Sequence, residues 1–231
     1  MIRCLSVCSG IEAWSCAVEG MDGYSVSALS EIEPFPCAVL AERYPFVPNL
    51  GDMTKINGWA MRGQIDLLVG GTPCQGFSVA GLRGGLNDPR SGLAGHYVRL
   101  AAELRVPWLL WENVPGALST SGGADFRAFV SALDELGYGL AWRILDAQFV
   151  RVPGRGGWIG PVAQRRRRVF LVGHLGDMRA CEVLFEPESL RWDNPSSREK
   201  RKALARAAGR GSTAGGGEGG CLMPWDAQAK R

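Results

Sequence analysis

The feature that most constrains the fold is a short apolar run cut off by glycine, proline and cysteine. Asp66-Leu67-Leu68-Val69 leads directly into Gly70-Gly71-Thr72-Pro73-Cys74-Gln75-Gly76-Phe77-Ser78. A short apolar run bounded by turn residues predicts a buried strand, the kind found in the parallel sheets of α/β proteins. The next stretch, through Asp88-Pro89, has the glycine-rich, polar character of a long exposed loop. A cysteine is thereby delivered at the carboxyl end of a strand, where open α/β sheets place their ligands. Pro73 fixes the backbone before it, and Gly70, Gly71 and Gly76 allow close approach of a substrate. Cys74 reads as a nucleophile, or else as a small buried hydrophobe at a tight turn.

The same strand-to-turn pattern recurs. Ile2–Val7 predicts a first strand, Cys8-Ser9-Gly10-Ile11-Glu12 a turn, and Ala13–Val18 a helix, the order that opens a doubly wound cofactor-binding fold. Tyr24–Leu29 predicts a second strand ending at Ser30-Glu31-Ile32-Glu33, before a helix over Pro34–Arg43. An acid after the second strand binds ribose hydroxyls in dinucleotide folds, though Glu31 and Glu33 equally suit the first turn of that helix. Phe46-Val47 is expected as a short strand before Asn49-Leu50-Gly51-Asp52-Met53-Thr54, where Asp52 also suits a helix cap.

Further along, a helix is predicted from Asp88 to about Leu104. A buried strand over Val106–Trp111 is expected to end in Glu112-Asn113-Val114-Pro115. Phe126, Phe129, Val130, Leu133 and Leu136 form a helical stripe closed by Gly137. Leu140–Leu145 and Val169–Val172 predict two strands around a glycine- and proline-rich loop, Phe149–Val162. Just before the last strand stands Gln164-Arg165-Arg166-Arg167-Arg168, and alternation would put Arg166 and Arg168 on one face. Beyond Gly173 little regular pattern is visible over 176–195; Arg198–Arg210 looks helical and basic, and Gly209–Gly220 is low-complexity and flexible.

Composition narrows the classes. At 231 residues, 46% hydrophobic and mean hydropathy -0.03, the chain can bury one full core with a small appendage. No apolar run approaches the roughly 20 residues that span a bilayer, and Met1–Gly10 lacks a signal-peptide layout, so a cytoplasmic protein is expected. Seven cysteines without Cys-x-x-Cys spacing, and only His96 and His174, argue against a metal site and for reduced thiols. Net charge is +3, yet 22 of 26 basic residues are arginine and most lie after residue 140. That distribution suits an anionic partner, or a solvated basic surface.

Taken together these motifs resemble, in order, those of DNA cytosine-5 methyltransferases. Pro-Cys-Gln leading into Phe-Ser resembles their nucleophile loop, Glu-Asn-Val their second catalytic signature, and Gln-x-Arg-x-Arg their arginine motif. The turn Ser-Gly-Ile-Glu-Ala is similar to that of phage and prophage members, with Glu12 and Ala13 standing where other members carry glycines. The resemblance covers about residues 2 to 175. It implies a Rossmann-like S-adenosylmethionine-dependent methyltransferase fold with a central, mostly parallel sheet. It implies S-adenosyl-L-methionine held by Cys8, Ser9, Gly10, Ile11, Glu31, Ile32, Asp52, Met53, Pro73 and Leu93, with Glu31 on the ribose and Asp52 on the adenine amino group. Cys74, Glu112, Arg166 and Arg168 would be catalytic. Gln75, Ser78, Arg90 and Gln164 would face double-stranded DNA, and the chain would act in a bacterial cell, encoded by phage or prophage.

The family's ninth motif and its final Gly-Asn-rich motif are not found. The expectation is therefore a catalytic domain over 1–175 and a short, incomplete target-recognition region over 176–231. This leaves room for a separate polypeptide supplying the missing C-terminal motifs. The rival readings are an inactive or partner-dependent remnant that binds DNA, and a transfer-RNA methyltransferase of similar active site.

Overall fold

The computed structural model describes residues 1–19, 21–73, 92–150, 152–154, 157–159, 163–185 and 219–222. In chain order the elements are β1 (Ile2–Val7), α1 (Ala13–Val18), β2 (Tyr24–Ser30), α2 (Pro34–Arg43), β3 (Leu67–Gly70), α3 (Leu93–Leu104) and β4 (Trp108–Asn113). Then come α4 (Ala124–Glu135), β5 (Tyr138–Asp146), β6 (Val152–Gly154), β7 (Gly157–Ile159), β8 (Arg167–Leu175), α5 (Arg179–Leu184) and β9 (Gly219–Leu222).

Seven strands form one sheet in the order β2-β1-β3-β4-β8-β5-β9. β1 pairs parallel with both β2 and β3, and β3 with β4. The chain crosses over after each of these strands, as parallel pairing requires. β8 runs antiparallel between β4 and β5, and β9 antiparallel on the outer side of β5. The sheet is thus mixed, with five strands in one direction, and the fold is the expected Rossmann-like methyltransferase architecture.

Alternation along the strands separates two layers. One face presents Leu5, Val7, Leu68, Leu109, Trp111, Leu140, Val169 and Leu171 to Tyr97, Leu100 and Leu104 of α3 and Phe126, Phe129 and Leu133 of α4. Burying such side chains contributes about 1.5–3 kcal/mol each, so this layer dominates the stability. Tyr97 is fully buried, and its hydroxyl donates to the carbonyls of Leu68 and Leu110, stitching α3 to β3 and β4. The other face carries Cys4, Leu67 and Val69 under Trp14 of α1, and Ala141 and Val172 under Ala180 and Leu184 of α5.

Several details differ from the sequence expectation. Phe46-Val47 is a turn with Phe46 97% exposed; only Asn49 bridges to Leu29, and Pro48 contributes a carbonyl to Leu29 N at 2.9 Å. Prolines at 45 and 48 cannot donate to a ladder, which limits pairing there. β4 begins after Pro107 and takes in Glu112 and Asn113, which places both at the strand's end. The segment Phe149–Val162 holds the two-stranded β6–β7 hairpin. Arg179–Leu184 is helical and Gly219–Leu222 pairs with β5, two elements that the pattern beyond Gly173 does not announce. Asp88–Ser91 and Arg198–Arg210 lie outside the described residues.

Cys4, Cys8, Cys16 and Cys37 are free thiols, whereas Cys181 is disulfide-bonded, a departure from the all-reduced expectation. Among the described residues no helix is long and apolar enough to cross a membrane, and no three His, Cys, Asp or Glu side chains converge as metal ligands.

Candidate functional site

The carboxyl ends of β1, β2, β3 and β4 and the start of β8 share one edge of the sheet. The hollow at β1 and β2 is built largely by backbone. Cys8 (φ 52°), Gly10 (φ 55°) and Glu12 (φ 64°) are all left-handed, which folds the turn tightly back over the strand end. Glu12 is 1% exposed and caps α1: its carboxylate accepts from Ser6 Oγ at 2.7 Å, Ser15 Oγ at 2.8 Å and Ser15 N at 3.2 Å. A buried acid thus sits in the turn, held by two serine hydroxyls. Ser9 closes the turn onto β2: its hydroxyl donates to Ser6 O and accepts from Ser30 N at 3.1 Å.

Glu31 lies at the opening. Gly10 N donates to its Oε2 at 2.8 Å, and Ile32 N and Glu33 N donate to its Oε1 at 2.7 and 2.8 Å. Asp52 stands on the next turn, its Oδ1 accepting from Thr54 N at 2.9 Å, and Lys55 is 3.7 Å from its Oδ2. The Thr54 hydrogen bonds hold the Asp52 carboxyl below the usual carboxylate range. Ile11 and Ile32 are exposed, while Met53 is buried and Leu93 packs against the core at the start of α3. Nothing lies within 4 Å of where a Cβ would sit on Gly10 or Gly51. The space beside Gly10 and Gly51, near two carboxylates and two exposed apolar side chains, is therefore open to a ligand.

Cys8 sits at the floor, donating to Met53 Sδ at 3.3 Å. Burial, then the charges of Glu31 and Asp52, push its thiol up to about 11. It stays protonated near neutral pH and is not a nucleophile.

At the other end of the edge, Glu112 Oε1 lies 2.9 Å from Arg168 Nε, and both side chains are partly exposed. Arg168 Nη1 also donates to Arg167 O at 2.8 Å. Arg166 lies one residue before β8; its N donates to Asp146 Oδ1 at 3.1 Å, and Ala147 N donates to its carbonyl at 3.0 Å. Gln164 and Arg166 are exposed. The structure therefore brings Glu112 and Arg168 together, and anchors Arg166 through its backbone.

Cys74, Gln75, Ser78 and Arg90 lie outside the described residues, but the root of the cysteine loop is in view. Thr72 O accepts from Asn113 Nδ2 at 2.8 Å, and Thr72 Oγ1 accepts from Trp111 Nε1 at 3.0 Å. A Cβ on Gly71 would meet Glu112 Oε2 at 3.1 Å, so only glycine fits there without displacing the carboxylate. Pro73, the last described residue before Cys74, is exposed. Sequence reasoning does not reach Thr72, Asn113 or Asp146 as site residues. Their partners lie far away in the chain, and the one local hint is the position of Asn113 inside the Glu-Asn-Val triplet.

A family model described as C-5 cytosine-specific DNA methylase matches residues 2–209. The chain belongs to this family. A protein of Escherichia phage P1 called DNA N-6-adenine-methyltransferase is 41% identical over 87% of this chain and 32% of its own length. The orphan methyltransferase M.SPRI of Bacillus phage SPR is 32% identical over 77% of this chain and 38% of its own. The chain thus spans about a third of the length of these relatives. Among solved structures, a putative DNA modification methyltransferase from an E. coli prophage superposes with TM-score 0.59 at 23% identity, over 78% of this chain and 48% of that one. That likeness shows the fold. Family membership brings S-adenosylmethionine as the cofactor, and the residues present fit it: two carboxylates able to accept from hydroxyl and amino groups lie beside exposed apolar side chains.

Proposed function

We propose that this family member is a DNA cytosine-5 methyltransferase, methylating a cytosine extruded from duplex DNA. Cytosine C5 is a poor nucleophile, and C6 is unreachable inside a base stack, so the base must be flipped and covalently activated. Cys74, as thiolate, forms a bond to C6. Glu112 holds the N3 edge and supplies a proton there, which leaves C5 electron-rich. Arg168, with Arg166 beside it, faces the O2 side and favours the thiolate through its charge. Bound S-adenosylmethionine supplies the methyl group that C5 accepts. The C5 proton then leaves to a base, the C6–S bond breaks, Cys74 is released as thiolate, and N3 returns its proton to Glu112.

Glu31, Asp52, Gly10, Ile32 and Leu93 hold the cofactor in this reading, while Gln75, Ser78, Arg90 and Gln164 face the DNA. Residues 1–175 form the catalytic domain and 176–231 the partial target-recognition region, with α5 and β9 docking the second onto the sheet of the first. The observation that carries the reading is the Glu112–Arg168 pair at 2.9 Å, beside the glycine that roots the Cys74 loop. An acid and an arginine paired there offer two edges of a pyrimidine complementary partners.

The phage P1 relative's name gives a second reading, methylation of adenine N6, which needs no cysteine adduct. Transfer of labelled methyl from S-adenosylmethionine to duplex DNA, with hydrolysis to nucleosides, separates them. Label in 5-methylcytosine, absent with Cys74→Ala, supports the cytosine reading. Label in N6-methyladenine that survives Cys74→Ala supports the other. Label in transfer RNA alone, or no transfer by the folded chain with cofactor in excess, overturns the duplex-DNA claim, and rescue by an added C-terminal polypeptide would identify a split enzyme.

A further inference from the structure

The cofactor hollow has two acidic walls from different segments, Glu31 after β2 and Asp52 on the following turn. One exposed side chain joins them. Asn49 Oδ1 accepts from Glu31 N and from Gly51 N, each at 3.0 Å. Its Nδ2 donates to Glu31 O at 3.1 Å and to Cys37 Sγ at 3.4 Å. Both lone pairs and both N–H groups of the carboxamide are thereby used, a satisfaction unusual for a side chain at the surface. Asn49 is exposed, so its contacts serve the relative placement of the two turns rather than burial.

Deeper links remain without it. Ser30 Oγ donates to Gly51 O at 2.6 Å, and Leu29 pairs by backbone with Pro48 and Leu50. These hold the strand ends together but reach no further up than Ser30. Asn49 alone among the described side chains touches both the backbone of Glu31 and the turn that carries Asp52. Its chemistry is also exacting. Aspartate keeps the acceptor but loses both donors and adds a negative charge beside Glu31, glutamine is a methylene too long, and alanine loses every contact.

We infer that Asn49 is a positioning residue that sets the spacing between the ribose-side and adenine-side carboxylates, and through it the affinity for the adenosyl part of the cofactor. The inference rests on S-adenosylmethionine occupying this hollow. It is tested on the full chain by calorimetric titration with S-adenosylmethionine and, separately, with adenosine, for wild type, Asn49→Ala and Asn49→Asp. Asn49→Ala is expected to weaken both ligands to a similar degree, about tenfold for the loss of the bonds that fix the Glu31 and Gly51 backbone. Asn49→Asp is expected to weaken them further, with the excess growing as salt is lowered, because the added charge lies near Glu31 and Asp52. A merely structural role would produce no such salt dependence. Should Asn49→Ala not fold, the isosteric Asn49→Asp carries the test. Wild-type binding with affinities within twofold in the folded variants overturns the inference alone. Absence of cofactor binding by wild type overturns the reading beneath it as well.

Discussion

The proposed cofactor site at β1 and β2 and the ion pair at β4 and β8 lie along the same sheet edge, yet they are held in opposite ways. Around Glu31 the carboxylate accepts three backbone N–H groups, and the neighbouring turns are locked by Ser9, Ser30 and Asn49. Around Glu112 one side chain meets another, and the supporting contacts reach the root of the cysteine loop rather than the carboxylate itself. Backbone donors are fixed once the strands pair, so the first site is preorganised by the fold. The second depends on two flexible side chains that also suit a base edge in their place. The difference teaches where binding and chemistry separate: changes at Glu31 should act on cofactor affinity, and changes at Glu112 on the reaction.

Four substitutions would break or sharpen that contrast. Glu112→Gln should have the largest effect, lowering methyl transfer by about 10²–10⁴-fold for loss of an acid–base group while cofactor affinity stays within twofold. Turnover assays and calorimetry on one preparation check it; a matching loss of cofactor affinity would erase the contrast. Glu31→Gln should do the reverse, weakening cofactor by roughly 10–100-fold through its three charge-assisted bonds, with transfer largely restored at saturating cofactor. Gly71→Ala should reduce transfer by about tenfold, since its Cβ falls 3.1 Å from Glu112 Oε2 and displaces the carboxylate, near 1.4 kcal/mol of barrier. Cofactor binding should not change.

The smallest effect is a stability one, at the amino edge of the sheet, opposite both sites. Asp66 takes both Nε and Nη2 of Arg3 at 2.8 and 2.9 Å, which ties β1 to the start of β3. The Arg3 hydrogen bond is the chief cause holding the Asp66 carboxyl down at about 2. Because the folded value is depressed, the stabilisation is fully present above the ordinary aspartate range and is lost as pH falls through about 2. Asp66→Asn should therefore lower the thermal midpoint modestly at neutral pH, the pair being partly exposed, with the gap closing between about pH 4 and pH 2. A gap that persists at the acid end of that window would assign the effect to packing.

How much is legible in the sequence divides along the same line. Leu67-Leu68-Val69 is a continuous apolar run and Ile2–Val7 an apolar-rich one, so β3, and β1 with the turn after it, can be read directly. So can Glu31 and Glu112, acids that end apolar runs. The helical stripe of Phe126, Phe129 and Leu133 is equally plain. Contacts between chain segments far apart are not legible. Thr72 meets Asn113 and Trp111 across a wide gap in the chain, and Asp146 meets Arg166 across the hairpin. No local pattern encodes such meetings. At Phe46 the apolar content suggests a strand, but the two flanking prolines bar pairing and a turn forms instead. The strand Gly219–Leu222 is hidden by a glycine-rich tract, because its partner is the distant edge of β5.

The central claim is that Cys74 adds covalently to cytosine C6, and trapping that adduct tests it most directly. Duplex DNA of mixed sequence carrying 5-fluorocytosine allows thiol addition and methyl acceptance, but fluorine cannot leave as a proton does, so release is blocked. With S-adenosylmethionine present, a protein–DNA species stable on a denaturing gel should form with wild type and be absent with Cys74→Ala. Methyl transfer to unmodified DNA without any trapped species, persisting in Cys74→Ala, would contradict the account and turn the assignment toward adenine N6.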